Sequence, residues 1–471
     1  MRRLKKRTRQ SKFIDGKVNL VPLTLIILVA TITYHGFTGG EDNRAYGLVI
    51  TAIRYIAYLL AFFLFLGRPQ RAIRIKNTPP LLILGLYFII SILWSQNINI
   101  VAVNFIHFVG TGLSAFLAAQ FFLSSNSPII KAYWPTLLFV ALLPSILVVL
   151  FLPEFAGPSN LEELGEAFDD GRWAGVSGSP NILGVECVIA IWAATTGLYS
   201  SPGKKLKLLC LSLLIIAIVL LLGSQSASSL VSSILVVSLI AFFSKYSRVS
   251  KEKRKQIILS LSYFFTIAAI ILVFILPSII SVDSTTQALG RDSTLTGRTI
   301  IWGWARELIS MKPILGWGFD NRTAAKDVIW MNYNHYHNGY LDMLVRGGLV
   351  GFGILAFIYI WYIYKVLLMK SDTFQRNVPY VAFLLTALVY NIGEVAFASW
   401  THAMWVLLMF SLFMVTKTQK RNPNKSAFVV TPKVRKRSIF TLPKKRRKRR
   451  RKRVTRLMGS NCNVASQHYH S

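Results

Sequence analysis

Residues 205–222 read KLKLLCLSLLIIAIVLLL, and this block decides the fold. After its first three positions it holds no charge. As a helix, an apolar run of this length crosses a hydrocarbon core of about 30 Å. A soluble helix would instead set a polar face against an apolar one. Comparable blocks lie at 18–34, 47–66, 80–95, 100–122, 129–152, 181–200, 226–244, 256–281, 338–366, 379–394 and 398–416. The 471 residues are 53% hydrophobic and 15% charged, a balance that fits lipid exposure better than a soluble core. The fold class predicted is an all-α polytopic membrane protein of about twelve transmembrane helices. The first block lacks a small-residue cleavage context, so a retained signal anchor is expected.

The formal net charge of +35 could suggest nucleic-acid binding, but its distribution argues otherwise. Residues 417–471 carry 19 Lys and Arg and no Asp or Glu, and residues 1–17 are also basic. Lys and Arg in short loops and termini mark the cytoplasmic side. With the N-terminus inside, basic segments such as 67–79 and 245–255 fall inside, and the acidic segments 35–46 and 153–180 fall outside. Both termini are therefore expected in the cytoplasm. Four parts are expected: a basic N-terminus (1–17), a membrane domain (18–416), a large outer loop within it (282–337) and a basic, disordered tail (417–471). The run Lys444–Arg453 suits anionic lipid head groups at about 1 kcal/mol per charge. No specific nucleic-acid partner is expected. Cys187, Cys210 and Cys462 are scattered and suggest neither a disulfide frame nor a metal site.

The stretch 289–351 interrupts this pattern. It opens with the polar run Gly290–Arg298 and continues as an amphipathic helix over 297–311. Then come Gly316-Trp317-Gly318 and the cluster Asn332–Asn338. Ile300, Trp304, Leu308 and Met311 fall on one helical face. Arg298 follows Thr296-Gly297 at the apparent helix start, where amide donors and a planar guanidinium would suit two phosphate oxygens. A surface Arg paired with Asp292 or Glu307 is the plain alternative. Arg291 is a second candidate.

His337 ends the outer loop, and an imidazole there could accept a proton from a hydroxyl. It could equally be an interfacial His bonded to a loop carbonyl. His335, two residues earlier, is expected to face elsewhere, and no third ligand spacing supports a metal. Arg54, His107, Glu186, Glu394 and His402 lie in or at the ends of apolar blocks. Such groups tend to face the bundle interior and to be paired. Arg54 with Glu186 is one candidate pair, and Glu394 and His402 could join an outward cavity. In the turn 223–229, Ser224, Gln225 and Ser226 could contact sugar or phosphate, or could serve close helix packing.

His337-Asn338, nine residues, Gly348, two residues and Gly351 together resemble a pattern of the O-antigen ligase and polymerase superfamily of bacterial envelope enzymes. The run Leu289–Thr299, with Trp302 beyond it and Gly316–Phe319, looks most like the exopolysaccharide (succinoglycan-type) polymerase branch. Pro180-Asn181 also fits. The resemblance implies a GT-C-like fold and an essential Arg and His, which map to Arg298 and His337. It implies a metal-independent glycosyltransferase without cofactor, acting on a polyprenyl-diphosphate-linked glycan at the outer face of the plasma membrane. Glycan contacts would involve Arg291, Arg172, Asn338, Ser224, Gln225 and Ser226. Ligases carry a further Arg in the turn at 223–229, where this chain has Gln225 and Ala227. Arg291 or Arg172 could substitute. This favours a polymerase over a ligase, which would transfer the glycan to lipid A core or protein. A lipid-polysaccharide transporter is the non-enzyme alternative, but no broken helix is apparent in the sequence. A chain-length regulator or export complex is a candidate partner.

Overall fold

A computed structural model describes residues 26–27, 44–66, 79–124, 128–152, 171–200, 203–246, 250–270, 294–319, 335–397 and 399–416. Of the two units Met1–Gln419 and Lys420–Ser471, all described residues belong to the first. The basic tail, the segment 1–17, Arg291 and most of the two long outer loops lie outside the described residues.

Among the described residues every regular element is helical. In chain order these are α1 (Arg44–Leu66), α2 (Pro79–Ile90), α3 (Ile98–Ser124), α4 (Pro128–Phe151), α5 (Pro180–Tyr199), α6 (Lys204–Ser224), α7 (Ala227–Tyr246), α8 (Lys251–Ile270), α9 (Thr294–Met311), α10 (Gly339–Leu367), α11 (Ser371–Gly393) and α12 (Ala403–Thr416). Proline opens α2, α4 and α5, where its missing N–H costs nothing and its fixed φ suits the first turn. Five helices are long and apolar enough to cross a membrane: α3, α5, α6, α7 and α10. Shorter apolar stretches lie in α1, α2, α4 and α12. The expected count of about twelve is thus not reached by length and composition. The first predicted span lies almost wholly outside the described residues, α8 begins on Lys251, Glu252, Lys253 and Arg254, and α11 carries Asp372, Arg376 and Asn377. The outward faces of α6 and α7 expose Leu208, Ile215, Leu222, Val231 and Ile234, as a lipid-facing surface requires.

α5 is the most enclosed of the five candidate spans. It locks to α11 through two hydrogen bonds, one of which answers a sequence defect. Pro379 lies inside α11 and has no N–H for the carbonyl of Gln375, four residues earlier. The Tyr199 hydroxyl donates to that carbonyl at 2.7 Å, and Trp192 Nε1 donates to the Pro379 carbonyl at 3.0 Å.

α10 is not the single continuous helix expected over 338–366. It breaks at Gly348, whose φ of 58° and ψ of −163° belong to a region essentially restricted to glycine. The freed backbone groups are met by the segment after α9. Trp317 and Gly318 donate their N–H groups to the carbonyls of Val345 and Arg346, at 2.9 and 3.0 Å. Leu349 and Val350 donate to Pro313 and Ile314, at 2.8 and 3.1 Å. The Tyr87 hydroxyl on α2 lies 2.7 Å from the Gly347 carbonyl and 2.9 Å from that of Leu315, and its one proton is shared between them. Irregular backbone in a membrane protein persists where protein groups satisfy it, as here. The 19 residues after the break rise about 28 Å, a spanning length of their own.

α9 rests on the first part of α10. Its buried positions are Ile301, Ala305 and Leu308, against Trp317, Tyr336, Leu341 and Val345. The expected stripe is shifted: Met311 is exposed and Trp304 only half-buried. The buried positions keep helical spacing, and contact with α10 sets which face they form.

Candidate active site

The end of α11 is sewn to the start of α10. Asn338 caps α10, its side-chain oxygen accepting from the N–H groups of Tyr340 and Leu341. Its amide nitrogen donates to the Ile392 carbonyl at 3.0 Å. The N–H of Gly339 donates to the Glu394 carbonyl at 3.0 Å, and a Cβ at Gly339 would run into the Asn391 side chain. Asn391 accepts from the N–H groups of Ala396 and Phe397 at 2.8 Å each. These bonds fix two consecutive features: His337, in the left-handed region at φ 48°, and Glu394, the residue that ends α11.

Glu394 stands between the two residues singled out in the sequence. Its Oε1 accepts from Arg298 Nη2 at 2.9 Å, while Arg298 Nη1 donates to the Gly393 carbonyl at 2.8 Å. Its Oε2 lies 3.6 Å from His337 Nδ1, within ion-pair range but long for a hydrogen bond. Ser228 makes a marginal contact with Oε1 at 3.5 Å. Burial raises the pKa of this carboxyl, but the His337 imidazole and the Arg298 guanidinium outweigh it, and the group is held below the usual carboxylate range. Arg298 therefore pairs with Glu394 and, among the described residues, not with Glu307; Asp292, the other partner of the plain reading, lies outside the described residues. Nor does Arg298 sit at a helix start: α9 begins at Thr294, so Arg298 lies in its second turn and its charge meets a carboxylate instead of free amide donors.

His337 and Glu394 line a cavity of about 930 Å³. Its walls come from α1 (Arg54), α3 (Asn99, Asn104, His107), α5 with its preceding residue (Ser179, Asn181), α10 (Arg346), α11 (Tyr390) and the α11–α12 connection (Trp400, His402). His335 lines it too, with its ring 4.3 Å from that of His337, so it does not face elsewhere as expected. Enclosure by protein, with His337 beside it, lowers the His335 pKa even though its surface opens to the cavity. The contact between His335 and His337 keeps both rings at one wall.

The remaining sequence candidates fall around this cavity. Arg172 donates to the Ser224 carbonyl and to the Asn181 side chain, both at 3.1 Å, and so links the turn at 223–229 to the lining residue Asn181. Ser224 and Ser226 are buried and spend their hydroxyls on Leu221 and Ser229, while Gln225 is exposed in a left-handed turn. Small residues serve close approach here: a Cβ at Gly223 would strike Trp173, and one at Gly184 would strike Ser226 and Ser229. Asn338 is a buried cap whose side chain is used by the backbone. Glu186 does not pair with Arg54; its carboxylate accepts from the Ser177 hydroxyl at 2.7 Å. His107 and Tyr58 are 3.2 Å apart, with Tyr55 stacked on the imidazole.

Sequence reasoning passed over Asp342 and Arg346. They form an ion pair of 2.8 Å one helical turn apart, both buried, and Asp342 also accepts from the Tyr336 N–H at 2.8 Å. Opposite charges at i and i+4 inside an apolar block were the available signal.

A polytopic membrane protein with a polar cavity ringed by helix ends is the class that this fold and site define. Within it, residues 212–356 match the family described as O-antigen ligase. Over 149 residues the chain is 28% identical to the exopolysaccharide production protein ExoQ of Rhizobium meliloti (strain 1021), covering 29% of this chain and 33% of that protein. Over 148 residues it is 26% identical to a putative polysaccharide ligase of Rickettsia felis (strain ATCC VR-1525 / URRWXCal2), covering 28% and 35%. The chain thus spans about a third of the length of these relatives. The family match takes in Arg298, His337 and Arg346 and stops short of Glu394.

Proposed function

We propose that this chain is a membrane glycosyltransferase that joins polyprenyl-diphosphate-linked oligosaccharide units into exopolysaccharide at the outer face of the plasma membrane. The observation that carries the reading is the meeting of Arg298 and His337 on one carboxylate, Glu394, at the edge of a large polar cavity. A charged constellation that helices and caps hold in place is what a transferase needs to meet charge as it develops. The match to the O-antigen ligase family and to ExoQ supports the substrate class.

In the reaction, a hydroxyl oxygen of the acceptor sugar bonds to the anomeric carbon of the donor. The bond from that carbon to the lipid diphosphate breaks, and the diphosphate leaves with the electron pair. His337 takes the acceptor's proton, with Glu394 orienting the imidazole and stabilising its charge. Arg298 holds Glu394 ionised and brings positive charge towards the leaving group. Both termini would lie in the cytoplasm. The segment 417–471 would lie on anionic head groups, where a chain-length regulator or export complex could reach it.

Deleting the protein and sizing the product tests the reading: single lipid-linked repeat units should accumulate and long polymer should vanish. An unchanged polymer would overturn it. The putative polysaccharide ligase among the relatives keeps a second reading open, transfer of a finished glycan to lipid A core or protein. That reaction would leave polymer on its lipid carrier instead of single units. A transporter would gain from the break in α10, but the break leaves a spanning length intact on one side.

A further inference from the structure

Arg298 shares its charge with Glu394, so a second cation for the leaving group has to be sought on the cavity walls. Among the described lining residues the carboxylate is Glu394, and the guanidinium groups are those of Arg54 and Arg346. With the ion-pair partners Arg298 and Asp342 counted as well, three guanidinium groups stand against two carboxylates, an excess of one positive charge that suits an anionic occupant. Of the two lining cations, Arg346 lies on the same wall as His335 and His337. Asp342 joins them, because one of its oxygens accepts from the Tyr336 N–H and the other forms the ion pair with Arg346. The position of Arg346 is also unusually fixed. Its carbonyl accepts from Gly318, and a Cβ at Gly316 would overlap its backbone. Its side chain is only 8% exposed, and that of Asp342 is fully buried.

A buried pair of this kind is not needed for helix stability, since apolar residues of similar size usually serve as well. What it supplies is a planar fork held at a set angle, and a guanidinium fork matches two phosphate oxygens. We infer that Arg346, positioned by Asp342, binds the diphosphate of the lipid carrier. The inference rests on the proposed reaction. Arg346 would act at the site of the leaving group, while Asp342 would be a positioning residue.

The test uses the full chain in lipid nanodiscs, with polyprenyl diphosphate and polyprenyl monophosphate as probes. Wild-type protein should bind the diphosphate about tenfold or more tightly than the monophosphate. The double variant D342N/R346M keeps an acceptor for the Tyr336 N–H and leaves no buried charge unpaired. It should melt near the wild-type temperature and lose most of the diphosphate preference. D342N/R346Q, which can retain a hydrogen bond between the two amides, is the alternative if the first variant does not accumulate. A folded variant of either kind with the wild-type preference would overturn the assignment while leaving the proposed reaction standing. Wild-type protein without any diphosphate preference would instead remove the reaction, and this assignment with it.

Discussion

Glu394 and Arg298 are joined at 2.9 Å across 96 positions of sequence, and the other oxygen of the same carboxylate lies 3.6 Å from His337. The carboxylate is thus the hinge of the constellation rather than a bystander. Replacing it by Gln keeps an oxygen for Arg298 but removes the charge that would stabilise a protonated His337. Polymer formation in membranes supplied with lipid-linked units should fall about a hundredfold in E394Q, with the protein still inserted. Near-normal turnover in that variant would show that His337 works without this carboxylate.

Arg298 spends two separate nitrogens on the Glu394 side chain and the Gly393 carbonyl. A lysine offers one compact charge and cannot span both acceptors in this geometry. R298K should therefore lose at least tenfold in polymer formation, and R298A should abolish it. Both should retain wild-type levels in the membrane. A fully active R298K would mean that position 298 needs a charge only.

The helical blocks were legible because lipid exposure writes itself along the chain: α6 and α7 begin and end within a few residues of the apolar runs at 205–222 and 226–244. Arg298 and His337 were legible as isolated polar chemistry, and Glu394 as a charge at the end of an apolar block. Their mutual contact was not, because it depends on Asn338, Gly339 and Asn391 fastening α10 to α11, long-range bonds without local periodicity. The break at Gly348 was hidden for a related reason. Glycines are common in membrane helices, and only the approach of Gly316 reveals which one carries a left-handed φ. Arg346 lay inside a block read as a uniform span, so its charge was missed.

The depressed pKa of Glu394 has a stability consequence with a fixed sign. The unfolded carboxyl takes up its proton near 4.5, before the folded one does. Its contribution is therefore fully present above that value and is lost as pH falls from it through the lower folded value. Melting temperature followed from about pH 7 down to about pH 3 should drop on the acid side. E394Q should show a smaller drop over the same window. Parallel profiles for the two proteins would contradict the assigned shift.

The break in α10 should be intolerant of any side chain. At Gly348 a Cβ would press on the Ile314 carbonyl and the Gly316 nitrogen, and the backbone lies where only glycine is at ease. At Gly316, φ is 69° and a Cβ would meet Gly348 and the Arg346 carbonyl. G348A and G316A should each cost about 1–3 kcal/mol or more, read as a lower melting temperature in detergent. By contrast, Gly353 has nothing within 4 Å of its Cβ position and lies in the regular part of α10, so G353A should be neutral or mildly stabilising. If all three alanine variants melted alike, the junction between the break and the segment 313–318 could not be as tight as the contacts indicate.

The α5–α11 lock offers a test of the fold that leaves the site untouched. Trp192 is buried, and its indole N–H donates to the Pro379 carbonyl, which as an interior position of α11 also faces the Phe383 N–H, so W192F removes one donor and leaves no stranded acceptor. The expected cost is about 0.5–1.5 kcal/mol. Y199F removes the donor to Gln375, but that hydroxyl is nearer solvent, and water can take its place at a cost of about 1 kcal/mol or less. P379A would restore the N–H that α11 lacks at Gln375 and make the Tyr199 hydroxyl redundant. The melting-temperature penalty of Y199F should therefore shrink in a P379A background. An equal penalty in both backgrounds would mean that the Tyr199 hydroxyl contributes through another partner, such as Ser244, rather than through the orphaned carbonyl.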